Sequence, residues 1–178
     1  SSPTIAKALF AGNYAVENGG AINNHAFEGL SSPAITNATF YGNQADNAGG
    51  AIANNGSAGI SSPSLLNVTI AGNTSNYGGG MYNTGISGGT SAPALTNVIL
   101  WDDSAPNGAE VYGASAAMSM GFSVVEGGGA SIVDSGTPFA SGPGNLSADP
   151  ELGYLRDNGG DLMTMALGEG SSALDLGL

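Results

Sequence analysis

The chain has 178 residues, 31 of them Gly and 8 Pro, with two basic side chains against fourteen acidic ones, a net charge of −12 and no Cys. Lys7 and Arg156 cannot neutralise a row of phosphates, which argues against nucleic acid and anionic membrane surfaces as partners, and the missing Cys removes disulfide scaffolds, thiolate zinc sites and thiol catalysis. No apolar run approaches the ~20 residues of a membrane-spanning helix, so no membrane insertion is expected, and a hydrophobic content of 41% is ample for the core of one domain.

In chain order, Ser1-Ser2-Pro3, Ser31-Ser32-Pro33, Ser61-Ser62-Pro63 and Ser91-Ala92-Pro93 recur at a period of 30 residues, and residues 1–30 match 31–60 at 15 of 30 positions. Self-similarity at this period marks a stacked repeat and takes precedence over local propensity. Within each row come an apolar column (Ile5, Ile35, Leu65, Leu95), a second (Ala8, Ala38, Val68, Val98) and a third (Phe10, Phe40, Ile70, Leu100). The spacing of two between the last pair of columns is that of a strand with one buried face; the spacing of three before it predicts a bend near Asn37, Asn67 and Asn97. Turn pairs follow at Gly12-Asn13, Gly42-Asn43, Gly72-Asn73 and Asp102-Asp103, then glycine pairs at 19–20, 49–50 and 79–80. A fourth apolar column is expected at Ile22, Ile52, Tyr82 and Tyr112.

No stretch shows helical periodicity, and a 30-residue row of short strands cannot bury its own apolar face. It must stack on its neighbours, each strand lying parallel to the same strand of the next coil ~4.8 Å away. The expected fold is therefore all-β, a right-handed single-stranded parallel β-helix of about 30 residues per coil. A propeller blade needs longer rows with antiparallel hairpins, and the spaced leucines of a leucine-rich repeat are missing. One domain spans 1–178, with coils near 1–30, 31–60, 61–90 and 91–120, an irregular coil at 121–150 and a C-terminal capping segment at 151–178. Stacked amides can donate to one neighbouring coil and accept from the other, so Asn13, Asn43 and Asn73, and likewise Asn37, Asn67 and Asn97, are predicted to form structural ladders.

Rows one to three carry Asn37-Ala38-Thr39-Phe40-Tyr41-Gly42-Asn43 and Gly49-Gly50-Ala51-Ile52, and the end carries Gly144-Asn145-Leu146-Ser147-Ala148-Asp149-Pro150, Asp157-Asn158-Gly159-Gly160 and Gly170-Ser171-Ser172-Ala173-Leu174-Asp175-Leu176-Gly177. These segments resemble bacterial right-handed parallel β-helix surface proteins of the polymorphic outer-membrane-protein and choice-of-anchor Q kind, over essentially the whole chain. Ser172 and Leu176 depart from that pattern, where Pro and Ala are usual. The resemblance implies an exported module at the bacterial cell surface or outside the cell, a stalk, adhesin or passenger without catalysis.

The rival reading is a polysaccharide-binding or polysaccharide-degrading β-helix of the pectate-lyase type. Lyases of that kind abstract a proton with Arg or Lys and neutralise the substrate with further cations, whereas Lys7 and Arg156 fall near opposite ends of the repeat. Asp102 and Asp103 are the only adjacent carboxylates, and neighbours along a strand face opposite ways. His25 is assigned to a loop. No cofactor is expected; Asp149, Glu151, Asp157 and Asp161 are the residues that could hold Ca²⁺. Tyr41 and Trp101 occupy an outward column and are candidate surface contacts for a glycan or a partner. Asn67-Val68-Thr69 and Asn145-Leu146-Ser147 match glycosylation acceptors, a pattern common by chance. Thr39 and Thr69 share a column that Leu9 and Ile99 break, which removes an ice-binding array.

Acid is concentrated late: of the fourteen acids, all but Glu17, Glu28 and Asp46 follow residue 90. The first row begins in phase at Ser1, with no basic-then-apolar leader and no cap before it. Its edge is expected to be covered by upstream coils of a longer chain or by another subunit in a head-to-tail fibre.

Overall fold

Four successive rows wrap into four stacked turns because each contributes an eight-residue strand and a four-residue strand at matching places, with a two-residue strand between them in the first two rows and a single bridge there in the next two. The computed structural model describes residues 1–134 and 140–175, so Leu176 and Gly177 of the quoted C-terminal motif lie outside the described residues. The strands are β1 (Thr4–Ala11), β2 (Tyr14–Ala15), β3 (Ile22–His25), β4 (Ala34–Tyr41), β5 (Gln44–Ala45), β6 (Ile52–Asn55), β7 (Ser64–Ala71), β8 (Met81–Thr84), β9 (Ala94–Trp101), β10 (Val111–Ala114), β11 (Ser119–Gly121), β12 (Val124–Val125), β13 (Ile132–Asp134) and β14 (Ala140–Ser141). One short 3₁₀ turn, Gly128–Ser131, is the only helical element among the described residues. The chain is an all-β parallel solenoid of about 30 residues per turn.

The long sheet runs β1-β4-β7-β9-β11-β14, with β12 also pairing with β9; a second runs β13-β10-β8-β6-β3, and β2 pairs with β5. Every pairing among these strands is parallel, and Ile5↔Ile35, Ile35↔Leu65 and Leu65↔Leu95 are in direct register. The inward columns make one core: Ile35, Phe40, Ile52, Ile70, Met81, Val98 and Leu100 are fully buried. Phe10 and Phe40 stack with ring centroids 4.7 Å apart and planes within 5°. Aromatic neighbours in a β-stack are held face to face by the coil spacing itself.

The predicted bend is a left-handed residue inside each long strand: Lys7, Asn37, Asn67 and Asn97 have φ between 50° and 55°. One such residue shifts the inward parity, which is why the first two columns are three apart. Asn tolerates this region and β-branched or aliphatic residues do not. Asn67 is exposed, so Asn67→Gly should leave stability nearly unchanged while Asn67→Ala should cost about 1–2 kcal/mol, read as a shift in the urea midpoint. At Gly50 the constraint is spatial. A Cβ there would lie 2.1 Å from the Gly79 carbonyl oxygen of the coil above.

The fourth column is not Ile22, Ile52, Tyr82 and Tyr112. The structure aligns Ile22↔Ile52, Ile52↔Met81 and Met81↔Val111, with Tyr82 and Tyr112 turned outward in register with Ala53. Coil 3 is one residue short at the corner, because Gln44 pairs with Thr74 but Ala48 with Tyr77. The turned-out Tyr82 and Tyr112 stack on each other at 5.8 Å, and Tyr77 meets Tyr112 edge-on at 5.3 Å.

Beyond coil 4 the strands shorten, and residues 151–175 fold back. Leu152↔Leu167 and Arg156↔Thr164 form an antiparallel hairpin, and Ser172 Oγ donates to the Ala148 carbonyl at 3.0 Å. Leu167 and Ala173 line a cleft with Asn67, Asn97 and Ile99, which places this segment against the outer face of the long sheet.

Candidate functional site

The inner turn after each long strand is set by a left-handed residue (Gly12, Gly42, Gly72 and, in coil 4, Asp102 at φ 58°), which turns the next side chain into the solenoid. There the amides form a directed ladder. Asn13 Nδ2 donates to Asn43 Oδ1 at 2.9 Å, Asn43 Nδ2 to Asn73 Oδ1 at 2.9 Å, and Asn73 Nδ2 to Asp103 Oδ1 at 2.8 Å, each oxygen also accepting the preceding coil's backbone N–H. The bend column runs the other way: Asn97 Nδ2 donates to Asn67 Oδ1 and Asn67 Nδ2 to Asn37 Oδ1. A third ladder, Asn24 to Asn54 to Asn83, was not visible at the 30-residue spacing because coil 3 has lost a residue.

The first ladder ends in a carboxyl, and sequence reasoning missed what meets it. Glu110 occupies the slot that Ala21, Ala51 and Gly80 fill in earlier coils, and it is 1% exposed. A Cβ on Gly80 would come within 2.5 Å of Asp103 Oδ2, so only glycine leaves room for the pair. Asp103 Oδ2 and Glu110 Oε2 are both buried without a donor from any other group. Two carboxyls in one dry pocket satisfy each other only if one keeps its proton and donates to the other. Accordingly, burial pushes the Asp103 carboxyl up to about 7. Burial, reinforced by the neighbouring Asp103 charge, pushes Glu110 up further, to about 10. Asp102 and Glu126 add negative potential on the same side, and Glu126 Oε2 accepts the Asp102 N–H at 2.7 Å.

The second arrangement is on the outer face. Tyr41 and Trp101, chosen from their outward phase, are half-buried, because the folded-back segment stands over them. Between them lies a cleft of about 230 Å³ whose floor is Tyr41, Ala71, Gly72 and Trp101 and whose walls include Asp102, Asp149, Glu151, Leu152 and Met165. The Tyr41 ring reaches over coil 3, 3.5 Å from where a Gly72 Cβ would stand. Three acids line this cleft and no basic residue does.

Other sequence-chosen residues stay apart. Of the four acids considered for Ca²⁺, Asp149 and Glu151 reach the aromatic cleft, Asp157 caps a turn by accepting the Gly159 N–H, and Asp161 is exposed. No three acidic or imidazole side chains converge on a metal-sized point among the described residues. His25 ends strand β3 rather than sitting in a loop, exposed and in register with Asn55. It is in the strand because the Asn24 amide, bonded to Asn54, carries the chain extended through this column. Lys7 occupies the left-handed bend of coil 1, and Arg156 sits in the C-terminal hairpin, its Nε bonded to Asn158 Oδ1. Neither lines the aromatic cleft. Searches against family models, curated proteins and solved structures found no match, so the parallel solenoid of about four regular turns stands on the chain's own repeat and geometry.

Proposed function

We propose that this chain is a non-catalytic structural or adhesive module of the bacterial cell surface or extracellular space, a segment of a stalk or fibre that extends by coil-on-coil pairing. The observation that carries the reading is the parallel coil-on-coil pairing itself, and the first coil displays the surface such pairing uses. Strands β1, β2 and β3 each pair on one side only, and Ile5, Ala8, Phe10 and Ile22 are half-exposed where their equivalents in later coils are buried. The Asn13 ladder donates only toward coil 2, leaving its Oδ1 to accept from a coil stacked beneath. Exposed edges of this kind template parallel or antiparallel strand addition. The resemblance to polymorphic outer-membrane-protein and choice-of-anchor Q β-helices supports the surface location.

Light scattering across a concentration series tests it. Mass should climb above that of one chain as concentration rises, and a strictly monomeric species throughout would remove self-assembly. The second reading, a glycan-binding or glycan-cleaving β-helix, is favoured by the aromatic cleft alone. Incubation with a panel of acidic and neutral polysaccharides separates the two: turnover establishes an enzyme, and binding without turnover an adhesin.

A further inference from the structure

We infer that the cleft between the outer sheet face and the folded-back segment binds an organic ammonium ion. Two aromatic side chains, Tyr41 and Trp101, form its floor, and Met165 closes it from the opposite wall. Aromatic rings attract cations through the negative face of their π-system, more strongly as water is excluded, and Trp does so best. Asp102, Asp149 and Glu151 supply formal negative charge at the rim, and neither basic side chain lines the cleft: Lys7 lies at the coil 1 bend and Arg156 Nε bonds Asn158. A phosphate or uronate would meet three carboxylates and no counter-charge. A bare Ca²⁺ would find an apolar floor in place of the six or more oxygens it takes. A cation with alkyl substituents matches both features at once, the apolar shell against the rings and the charge toward the carboxylates. The cleft's volume of about 230 Å³ accommodates a head group of the trimethylammonium kind. This stands apart from edge pairing, since the cleft is on the side of the stack and not on its end.

The floor contains the chain's single tryptophan, so its fluorescence reports occupancy directly. Titrating the full chain with choline at low salt should give a saturable change in Trp101 emission, with a dissociation constant on the order of 1 mM. Asp149→Asn keeps the side-chain oxygen that accepts the Glu151 N–H at 2.7 Å, and Asp102→Asn suits the left-handed backbone at that position. Each removes charge without shape and should weaken binding roughly fivefold, the effect shrinking as salt rises. Calorimetry on Trp101→Leu should show no choline heat. The proposal is overturned if 3,3-dimethylbutanol, the uncharged isostere of choline, binds as well, if a neutral sugar or Ca²⁺ gives the saturable change while choline does not, or if the two Asn variants bind choline unchanged.

Discussion

Asn73→Ala should lower the unfolding free energy by about 4 kcal/mol, measured as a fall in the urea midpoint at unchanged slope. Asn73 is fully buried, and its amide serves four groups. Its Oδ1 accepts the Asn43 N–H at 2.8 Å and Asn43 Nδ2 at 2.9 Å, while its Nδ2 donates to Asp103 Oδ1 at 2.8 Å and to the Phe40 carbonyl at 3.2 Å. Removing the amide takes one bond from each of four groups where water cannot reach them. The Asn43 N–H loses the side-chain acceptor it has here, whereas Asp103 Oδ1 keeps the Asn73 N–H and Asn43 Nδ2 keeps the Phe10 carbonyl. The cost is about 1 kcal/mol for each lost bond and more for a stranded group, less whatever the corner relaxes. Against a typical stability of ~5–15 kcal/mol this is a large fraction. A loss below about 1 kcal/mol would mean that the ladder is decoration on a stack held by its apolar columns alone.

Stability should also fall as pH rises through neutrality, and Asp103→Asn should remove much of that fall. Both carboxyls hold their protons more tightly folded than unfolded, Asp103 up to about 7 and Glu110 up to about 10. The folded state therefore binds more protons than the unfolded one above the ordinary carboxylate range. Unfolding free energy is greatest near and below ~4 and declines as pH climbs toward the raised values. At 1.36 kcal/mol per unit, Asp103 alone accounts for a loss on the order of 3 kcal/mol between about pH 5 and its raised value of about 7, and Glu110 adds to it. Repulsion among the other acids of a chain with net charge −12 slopes the same way, so the variant is the discriminating arm. An Asn at 103 still accepts from Asn73 through its oxygen and turns its amide N–H toward Glu110, continuing the ladder by one rung. Thermal melts across this range should show the variant more stable than the parent at alkaline pH and similar at acid pH. Parallel curves for the two proteins would remove the buried pair as the source.

The solenoid was legible because stacking imposes one requirement on every coil. Phe10, Phe40, Ile70 and Leu100 recur at 30 residues since each must sit on the last, and the three-residue gap between the first two columns foretold a bend near Asn37, Asn67 and Asn97, which the structure makes with a left-handed residue. What escaped was whatever a row count cannot resolve. Coil 3 lacks a residue between Thr74 and Tyr77 and gains one between Thr84 and Thr90, so its total stays at 30 while everything between is offset. That offset put Tyr82 and Tyr112 in the core by arithmetic, hid the Asn24–Asn54–Asn83 ladder and left Glu110 in the column of the glycine pairs ending at Gly20, Gly50 and Gly80. Correcting the register places Glu110 in the column of Ala21, Ala51 and Gly80, where a carboxyl is conspicuous. The aromatic cleft was only half legible. The outward phase picked Tyr41 and Trp101, but their wall comes from a non-periodic segment whose fold-back rests on single contacts such as Ser172 Oγ to Ala148.

The paired deletion and insertion in coil 3 show where this architecture stores tolerance. In coil 3 the length error is made and repaired within one circuit, at corners, and the next circuit starts clean at Pro93. Coil 3 thus behaves as a self-resetting frame. Foreign peptide spliced into the 85–90 corner would bulge outward without displacing strands β9 or β10, making that corner a natural grafting point and the stack a ruler of fixed pitch along which such grafts could be spaced.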